Sequence, residues 1–220
     1  MLKSISYYIL SFLAVIVAGY SIIGYIILKP GSIASPEMAA VYQANIWNTL
    51  KIYLHAGFAS IAIVTGLFQM NSKWRRKYPK WNIILRNIYY FSVLIFSITG
   101  LTLAFIAQGG LPNLFGFGML SITLFFATLK AFLASYNNRD MPNFRIWIVR
   151  SFALTTTAIN LRIYLGIWIA YAGLPNVPVF YQVLGFLTWV PTFIITEWWI
   201  VPRLHNTTAR SIQSKSNPTI

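Results

Sequence analysis

The sequence predicts an all-α integral membrane bundle of six transmembrane helices, with the N- and C-termini in the cytoplasm. Of the 220 residues, 57% are hydrophobic and only 9% are charged, whereas about a quarter of the residues in a soluble domain are charged. Six apolar stretches reach the roughly 20 residues that a helix needs to cross the hydrocarbon of a bilayer. The connections on one side of these stretches carry most of the Lys and Arg residues, which is typical of cytoplasmic loops.

Turn and breaker residues separate the apolar stretches and set their limits. The predicted transmembrane helices are approximately 7–28, 52–70, 88–107, 115–136, 147–171 and 179–201. The first stretch is too long for a signal peptide and has no convincing cleavage site after it, so we expect a retained anchor. The six helices form one domain, residues 1–205, and residues 206–220 form a polar cytoplasmic tail.

A short segment between the first two stretches has the features of a helix start. Ser35 is a suitable cap, Pro36 suits the first turn and Glu37 places an acid at the positive end of the helix dipole. We therefore expect Met38 to Asn48 to form a short helix on the outer surface.

Lys and Arg residues are concentrated on one side of the predicted bundle. The opposite side carries only Lys29 and Lys51. Because Lys- and Arg-rich loops remain in the cytoplasm, we expect the basic side to be cytoplasmic. The principal basic positions on that side are Lys3, Lys73, Arg75, Arg76, Lys77, Lys80, Arg86, Arg139, Arg145, Arg150, Arg203, Arg210 and Lys215.

The net charge is +14, from 17 Lys and Arg residues against 3 acidic residues. A basic balance raises the question of nucleic acid, but here the charges sit in short segments between apolar runs. We expect contact with anionic lipid head groups and no nucleic acid. In residues 73–81 basic and aromatic residues alternate, which favours a topology determinant with aromatic anchors over specific lipid or partner binding. The expected head-group contacts are Lys73, Arg75, Arg76, Lys77 and Lys80.

Several kinds of chemistry are missing from the sequence. It has no cysteine, and therefore no disulfide, thiolate metal site or cysteine nucleophile. It has no phosphate-binding loop, no zinc motif, no nucleophile–base–acid set and no paired carboxylates. We predict no catalytic residues and no metal site, and the sequence favours a protein that is not an enzyme.

Polar groups inside the hydrocarbon are costly, so each is a functional candidate. In helix two, His55 lies on a face with Ala59, Ala62, Gly66 and Gln69. Small residues let helices approach closely in lipid, so this face should pack inside the bundle with His55 pointing inward. The plain interpretation of His55 is a structural hydrogen-bond partner, and the alternative is a ligand.

Arg162 should lie near His55 in depth. It is about 18 Å along helix five from Arg150, and His55 is about 21 Å from the inner end of helix two. A guanidinium stays charged, so its charge needs carbonyls and water, snorkelling, or an anionic ligand such as a lipid phosphate, a propionate or a carboxylate. The candidate ligand-binding residues in this outer half are His55, Asn160, Arg162 and Gln182.

Near the inner face, Lys130, Arg150 and Glu197 are candidates for a structural ion pair, with Glu197 paired to either base. A proton relay is the alternative, but it normally needs a chain of titratable groups. A haem with two histidine ligands is disfavoured because His205, the second histidine, lies in the inner tail. A haem held by His55 and Met119, or a bound quinone, remains an alternative.

Three stretches carry a family resemblance. The first runs from Leu54-His55-Ala56-Gly57 to Gly66-Leu67-Phe68-Gln69, the second from Asn82 to Tyr89, and the third from Arg145 through Thr155 to Leu161-Arg162. Together they resemble a bacterial membrane-protein family catalogued as domain of unknown function 2306, over helices two to five. The resemblance implies this fold and a multi-pass location in the bacterial cytoplasmic (inner) membrane.

Two positions depart from that family's pattern. Its members usually carry a histidine at the start of helix three and another before the Arg-x-Trp motif, where this sequence has Asn82 and Phe144. The resemblance therefore implies that any inner metal or haem site of the family is lost here. His55 and Arg162 are retained, which favours the outer-half site.

Three functional hypotheses follow. The first is a non-enzymatic scaffold, assembly factor or accessory membrane component, with a membrane-protein partner or a homo-oligomer. The second is a haem- or quinone-linked redox protein that uses His55 and Arg162. The third is a small anion transporter or sensor in which Arg162 holds the anion and Pro191 kinks helix six.

Overall fold

The computed structural model describes residues 4–28, 36–136, 141–173 and 177–206. These residues are almost entirely helical and none of them forms a strand. The first half of the chain forms α1 (Ser4–Ser21), a π-helical segment (Ile22–Ile27), α2 (Pro36–Gln43), α3 (Ile46–Met70), α4 (Ser72–Lys77) and α5 (Pro79–Ala104). The second half forms α6 (Gly110–Tyr136), α7 (Met141–Thr155), α8 (Thr157–Ala172), α9 (Val177–Leu187), α10 (Val190–Ile195) and a second π-helical segment (Thr196–Ile200).

Six segments are long and apolar enough to cross a membrane, which confirms the predicted six-span, all-α fold. We number them one to six. Spans five and six combine α7 with α8 and α9 with α10. The observed spans are Ile5–Ile27, Ile46–Met70, Pro79–Ala104, Gly110–Tyr136, Pro142–Ala172 and Val179–Asn206.

Span three begins earlier in the chain than the apolar stretch near residue 88 predicts. Pro79 lies in the first turn of α5, where its missing N–H costs nothing because no helical partner is available there. The polar first turns continue the helix beyond the part that an apolar pattern detects. The proposed tail, 206–220, lies outside the described residues except for Asn206.

The two ends of the bundle differ in their connections. At the α2 end, α2 is fixed to the start of α3 because Asn48 donates from Nδ2 to the Val41 carbonyl over 2.9 Å. The predicted surface helix is therefore divided: α2 ends at Gln43, and Ile46–Asn48 form the first turn of α3. Ser35, the predicted cap, lies outside the described residues.

The basic end carries α4, and its cytoplasmic orientation stays a prediction.

The small-residue face of α3 packs inside the bundle, as its spacing predicts. Ala62 and Gln69 are buried. At Gly66, an added Cβ atom would lie 2.5 Å from the Phe152 ring and 2.9 Å from the Tyr89 ring. Glycine therefore allows α3 to lie close to α5 and α7.

Spans five and six both deviate from regular helix near their middles. In span five the irregularity is at Thr156, whose hydroxyl donates to the Ala153 carbonyl over 2.6 Å, a type of bond that often bends helices. In span six it is at Thr188 and Trp189, and Pro191 lies in the first turn of the helix that follows. Asn160, four residues after Thr156, donates to the Thr188 carbonyl, so a hydrogen bond joins the two irregular segments.

Candidate functional site

The guanidinium of Arg162 lies between span one and span five, in the half of the bundle at the α2 end. Nη1 donates to the Ala158 carbonyl over 2.8 Å, and Nη2 donates to Ser21 Oγ over 3.0 Å. The guanidinium carbon is 5.3 Å from the centre of the Tyr20 ring, a cation–π distance. Nε is buried and has no hydrogen-bond partner among the described residues.

Three tyrosines influence the electrostatic environment of this guanidinium. Tyr20, Tyr25 and Tyr181 lie within electrostatic range of Arg162. Tyr42 of α2 lies within the same range of Tyr25 and Tyr181. Burial, followed by the proximity of these two tyrosines, raises the pKa of Tyr42, so its hydroxyl stays protonated at neutral pH. A set of tyrosines therefore extends from α2 to Arg162, and their hydroxyl groups can donate hydrogen bonds.

The charge of Arg162 is not matched by a carboxylate in the described part of the chain. The one ion pair there joins Arg150 to Glu197, toward the other end of the bundle. Asp140 and the side chain of Glu37 lie outside the described residues. The contacts that the structure gives Arg162 are thus neutral acceptors and an aromatic ring, and no described residue is an acidic partner for its positive charge.

His55 is partly buried, and its ring faces α5. Nδ1 is 3.0 Å from the Phe96 carbonyl oxygen. A carbonyl only accepts, so Nδ1 carries the proton and Nε2 keeps a lone pair that can accept a hydrogen bond or bind a metal. His55 lies within electrostatic range of Arg162. The structure therefore brings together two of the predicted site residues, a donor and an acceptor.

Asn160 and Gln182 take other positions. Asn160 donates from Nδ2 to the Thr188 carbonyl and to Thr192 Oγ1, each over 2.8 Å. It therefore satisfies the backbone at the irregularity of span six. Gln182 is exposed on the surface of the bundle, and its neighbour Tyr181 approaches Arg162 instead.

A haem bound through His55 would need a second axial ligand. Met119 has 50% of its side chain exposed, and His205 is exposed at the basic end. Neither residue is buried at the depth of His55, as a second axial ligand would have to be. Among the described residues, no group of three or more His, Cys, Asp or Glu side chains could hold a metal ion.

Toward the basic end, Glu197 is paired with Arg150 rather than with Lys130. The pair is bidentate, with Nε–Oε1 and Nη2–Oε2 distances of 2.6 and 2.7 Å. The Arg150 guanidinium also lies 4.4 Å from the centre of the Trp147 ring. Lys130 is exposed. The ion pair lines an open groove of about 450 Å³ between α6, α7 and span six.

The basic residues expected to contact lipid head groups lie on or beside α4. Lys73, Arg76, Lys77 and Lys80 are exposed. Arg75 differs from them because it is partly buried and donates to the Gln69 carbonyl. Burial, together with the nearby positive charge of Arg145, lowers the pKa of Arg75.

The predicted site lacked the residues that surround Arg162 in the structure. Ser21, Tyr20, Tyr25 and Tyr181 come from spans one and six, and Tyr42 comes from α2. Tyrosines near the ends of transmembrane helices are usually part of the interfacial aromatic belt. Their spacing along one helix gives no sign that residues from three elements meet around one arginine.

Six apolar helices with an arginine-centred polar site in one half define this chain as a multi-pass helical membrane protein. It belongs to the family described as predicted membrane protein (DUF2306), whose model matches residues 52–200, more than half of the chain. The match confirms the family resemblance of the sequence and extends it into span six. No curated protein and no solved structure matches the chain.

Proposed function

We propose that this protein is a non-enzymatic component of the bacterial cytoplasmic membrane that binds an anionic ligand at Arg162. The observation that carries the proposal is the Arg162 guanidinium itself. It is held within the bundle, its Nε is buried without a partner, and no described carboxylate neutralises it. A positive charge within the hydrocarbon region costs several kcal/mol unless a partner compensates it.

The chemistry around Arg162 suits an anion with several oxygen atoms. A guanidinium binds carboxylates and phosphates through parallel hydrogen bonds. Tyr20, Tyr25 and Tyr181 lie within electrostatic range of Arg162, and a tyrosine hydroxyl can donate a hydrogen bond to an anion oxygen. His55 lies within electrostatic range of Arg162, and its Nε2 can accept a hydrogen bond from a ligand that also carries a hydroxyl group.

Thermal unfolding of the full chain in detergent tests the proposal. A ligand that binds only the folded state raises the melting temperature. Acetate, succinate and phosphatidylglycerol in mixed micelles serve as probes, with chloride and phosphatidylcholine as references. We expect at least one anion to stabilise the wild type. Arg162→Lys keeps the charge but loses the planar donor geometry, and should need about tenfold more anion, the equivalent of 1.4 kcal/mol.

Lys51→Gln is the matched control for that experiment. Lys51 is a cation near the same end of α3, and removing it changes the net charge without touching the contacts of Arg162. Its response to the anions should equal that of the wild type. Equal responses of the wild type and Arg162→Lys to every probe would contradict the proposal.

Transport is a second candidate function, favoured by the irregular spans. Transporters commonly bind their substrates where transmembrane helices are interrupted near the middle of the bilayer. Here spans five and six are irregular at Thr156 and at Thr188, and Asn160 joins them. Uptake of radiolabelled succinate into proteoliposomes, with Arg162→Lys as the comparison, separates transport from binding alone.

A further inference from the structure

Several buried polar atoms at the basic end have no partner. Among the described residues six buried side-chain atoms lack a hydrogen bond, and four of them lie here. They are Gln69 Oε1, Trp74 Nε1, Asn82 Oδ1 and Arg86 Nε. Buried polar groups normally have a hydrogen-bond partner, so the concentration of these atoms in one place points to a ligand.

Gln69 lies beside the first turns of α5, and Trp74 lies on the short helix between α3 and α5. Gln69 is 1% exposed, and its Nε2 is 3.5 Å from the Asn82 carbonyl. Asn82 and Arg86 are one turn apart on α5, and therefore share a face. Trp74 lies on α4, with its ring 4.9 Å from Phe68 at the end of α3.

Two further arginines join this group. Arg75 donates to the Gln69 carbonyl and is close enough to Arg145 for their positive charges to repel. The Arg86 guanidinium lies 5.5 Å from the centre of the ring of Phe144, which precedes Arg145 in the chain. We call this group the basic-end cluster, and its members are Gln69, Trp74, Arg75, Asn82, Arg86 and Arg145.

We propose that the basic-end cluster binds a phosphate monoester or inorganic phosphate. Arg75 and Arg145 lie within electrostatic range of each other, and Arg86 lies beside Phe144, the residue before Arg145. No described carboxylate pairs with them, which favours an anion over a metal cation. Phosphate oxygens accept from guanidinium and indole N–H groups, and a P–O–H group donates to an amide oxygen such as Gln69 Oε1. Fully ionised small anions such as chloride satisfy the donors only.

The phosphate group has two possible sources, the monoester headgroup of phosphatidic acid in the bilayer and free inorganic phosphate. Both present the same charged group to the cluster, but only the lipid adds acyl chains that lie along the apolar surface of the bundle. The site is separate from Arg162, which lies in the other half of the molecule, and its occupation does not depend on the function proposed there.

The test compares Arg145→Gln with Lys130→Gln in the full chain. Both side chains are exposed, so neither change should disturb folding, and each removes one positive charge. Only Arg145 belongs to the cluster. Arg162 is intact in both variants, so a difference between them cannot arise at the other site.

Melting temperatures are measured by intrinsic fluorescence during titration with inorganic phosphate at constant ionic strength, with chloride as the reference. A parallel series uses phosphatidic acid in mixed micelles, with phosphatidylcholine as the reference. We expect phosphate or phosphatidic acid to stabilise the wild type and Lys130→Gln equally. Arg145→Gln should require about tenfold more of either probe, because it loses a charged donor to the phosphate oxygens.

The two series identify the source. Stabilisation by both probes means that the phosphate group is sufficient, and stabilisation by phosphatidic acid alone means that the lipid is the ligand. The proposal is overturned if the two variants respond equally, or if chloride and phosphatidylcholine produce the same rise as the phosphate probes.

Discussion

Arg150 and Glu197 form a bidentate ion pair between spans five and six, with N–O distances of 2.6 and 2.7 Å. Arg150 is about 12 Å along span five from its basic end, at 1.5 Å per residue. The side chains are 20% and 27% exposed, and this exposed surface lies in the open groove beside α6 rather than in a loop. The pair therefore joins span five to span six along their length rather than at a loop.

Removing one partner of this pair should be costly. Glu197→Gln leaves the Arg150 charge without its partner, and we expect a loss of about 3 kcal/mol in the free energy of unfolding. The double variant Arg150→Met with Glu197→Met removes both charges and should recover most of that loss. Lys130→Met is the control and should change stability by less than about 0.5 kcal/mol, because Lys130 is exposed. Unfolding in mixed micelles measures all three, and equal effects of Glu197→Gln and Lys130→Met would contradict the assignment.

Gly116 should tolerate no side chain. A Cβ atom there would lie 2.5–2.8 Å from the backbone of Gly185 on α9, and backbone atoms cannot rotate away. We expect Gly116→Ala to destabilise the protein by about 2 kcal/mol through overpacking. Gly166→Ala is the matched control because a methyl group at Gly166 would have no atom within 4 Å of it. It should stabilise α8 by roughly 0.5–1 kcal/mol, and a melting temperature of Gly116→Ala at or above that of Gly166→Ala would refute this packing.

The orientation of the bundle can be measured cleanly because the chain has no cysteine. Ala44→Cys places a single thiol beside α2, and Lys77→Cys places one at the end of α4; both positions are exposed. We expect a membrane-impermeant maleimide to label the thiol at position 44 in intact cells and the thiol at position 77 only after permeabilisation. The reverse pattern would show that the basic end faces outward.

His55 should stabilise the fold through the hydrogen bond that its Nδ1 donates to the Phe96 carbonyl over 3.0 Å. Asparagine can donate from a similar position, whereas leucine cannot donate. We expect His55→Leu to lose about 1 kcal/mol of stability and His55→Asn to lose much less. Equal losses in thermal unfolding would contradict this role. A Soret band in the spectrum of the wild type that disappears in His55→Asn would instead make His55 a haem ligand.

The sequence is sufficient to predict the six spans because hydrophobicity over about 20 residues is a local property. It is also sufficient for the buried face of α3, since small residues such as Ala62 and Gly66 recur at helical spacing. The early start of α5 at Pro79 does not follow from the apolar pattern because the first turns of this helix are polar. The irregularity at Thr156 depends on which carbonyl its hydroxyl contacts, and composition does not encode that choice.

The candidate site is predicted in part. Counting residues along two straight helices predicts that His55 and Arg162 lie at the same depth. The structure places the two side chains within electrostatic range of each other. Gln182 is a polar group on an apolar helix, but the rotation of α9 turns it outward and brings Tyr181 inward. The rotation of a helix about its axis depends on its packing against all of its neighbours. The sequence pattern therefore does not show which tyrosines lie near Arg162.

The anion at Arg162 is tested most directly by native mass spectrometry of the protein as purified in mild detergent. Wild type, Arg162→Gln and Lys51→Gln are compared at the same protein concentration. The account predicts that the wild type and Lys51→Gln retain an anionic species of one fixed mass that Arg162→Gln has lost. A wild type without any bound anion, or the same species at equal occupancy in Arg162→Gln, would contradict it.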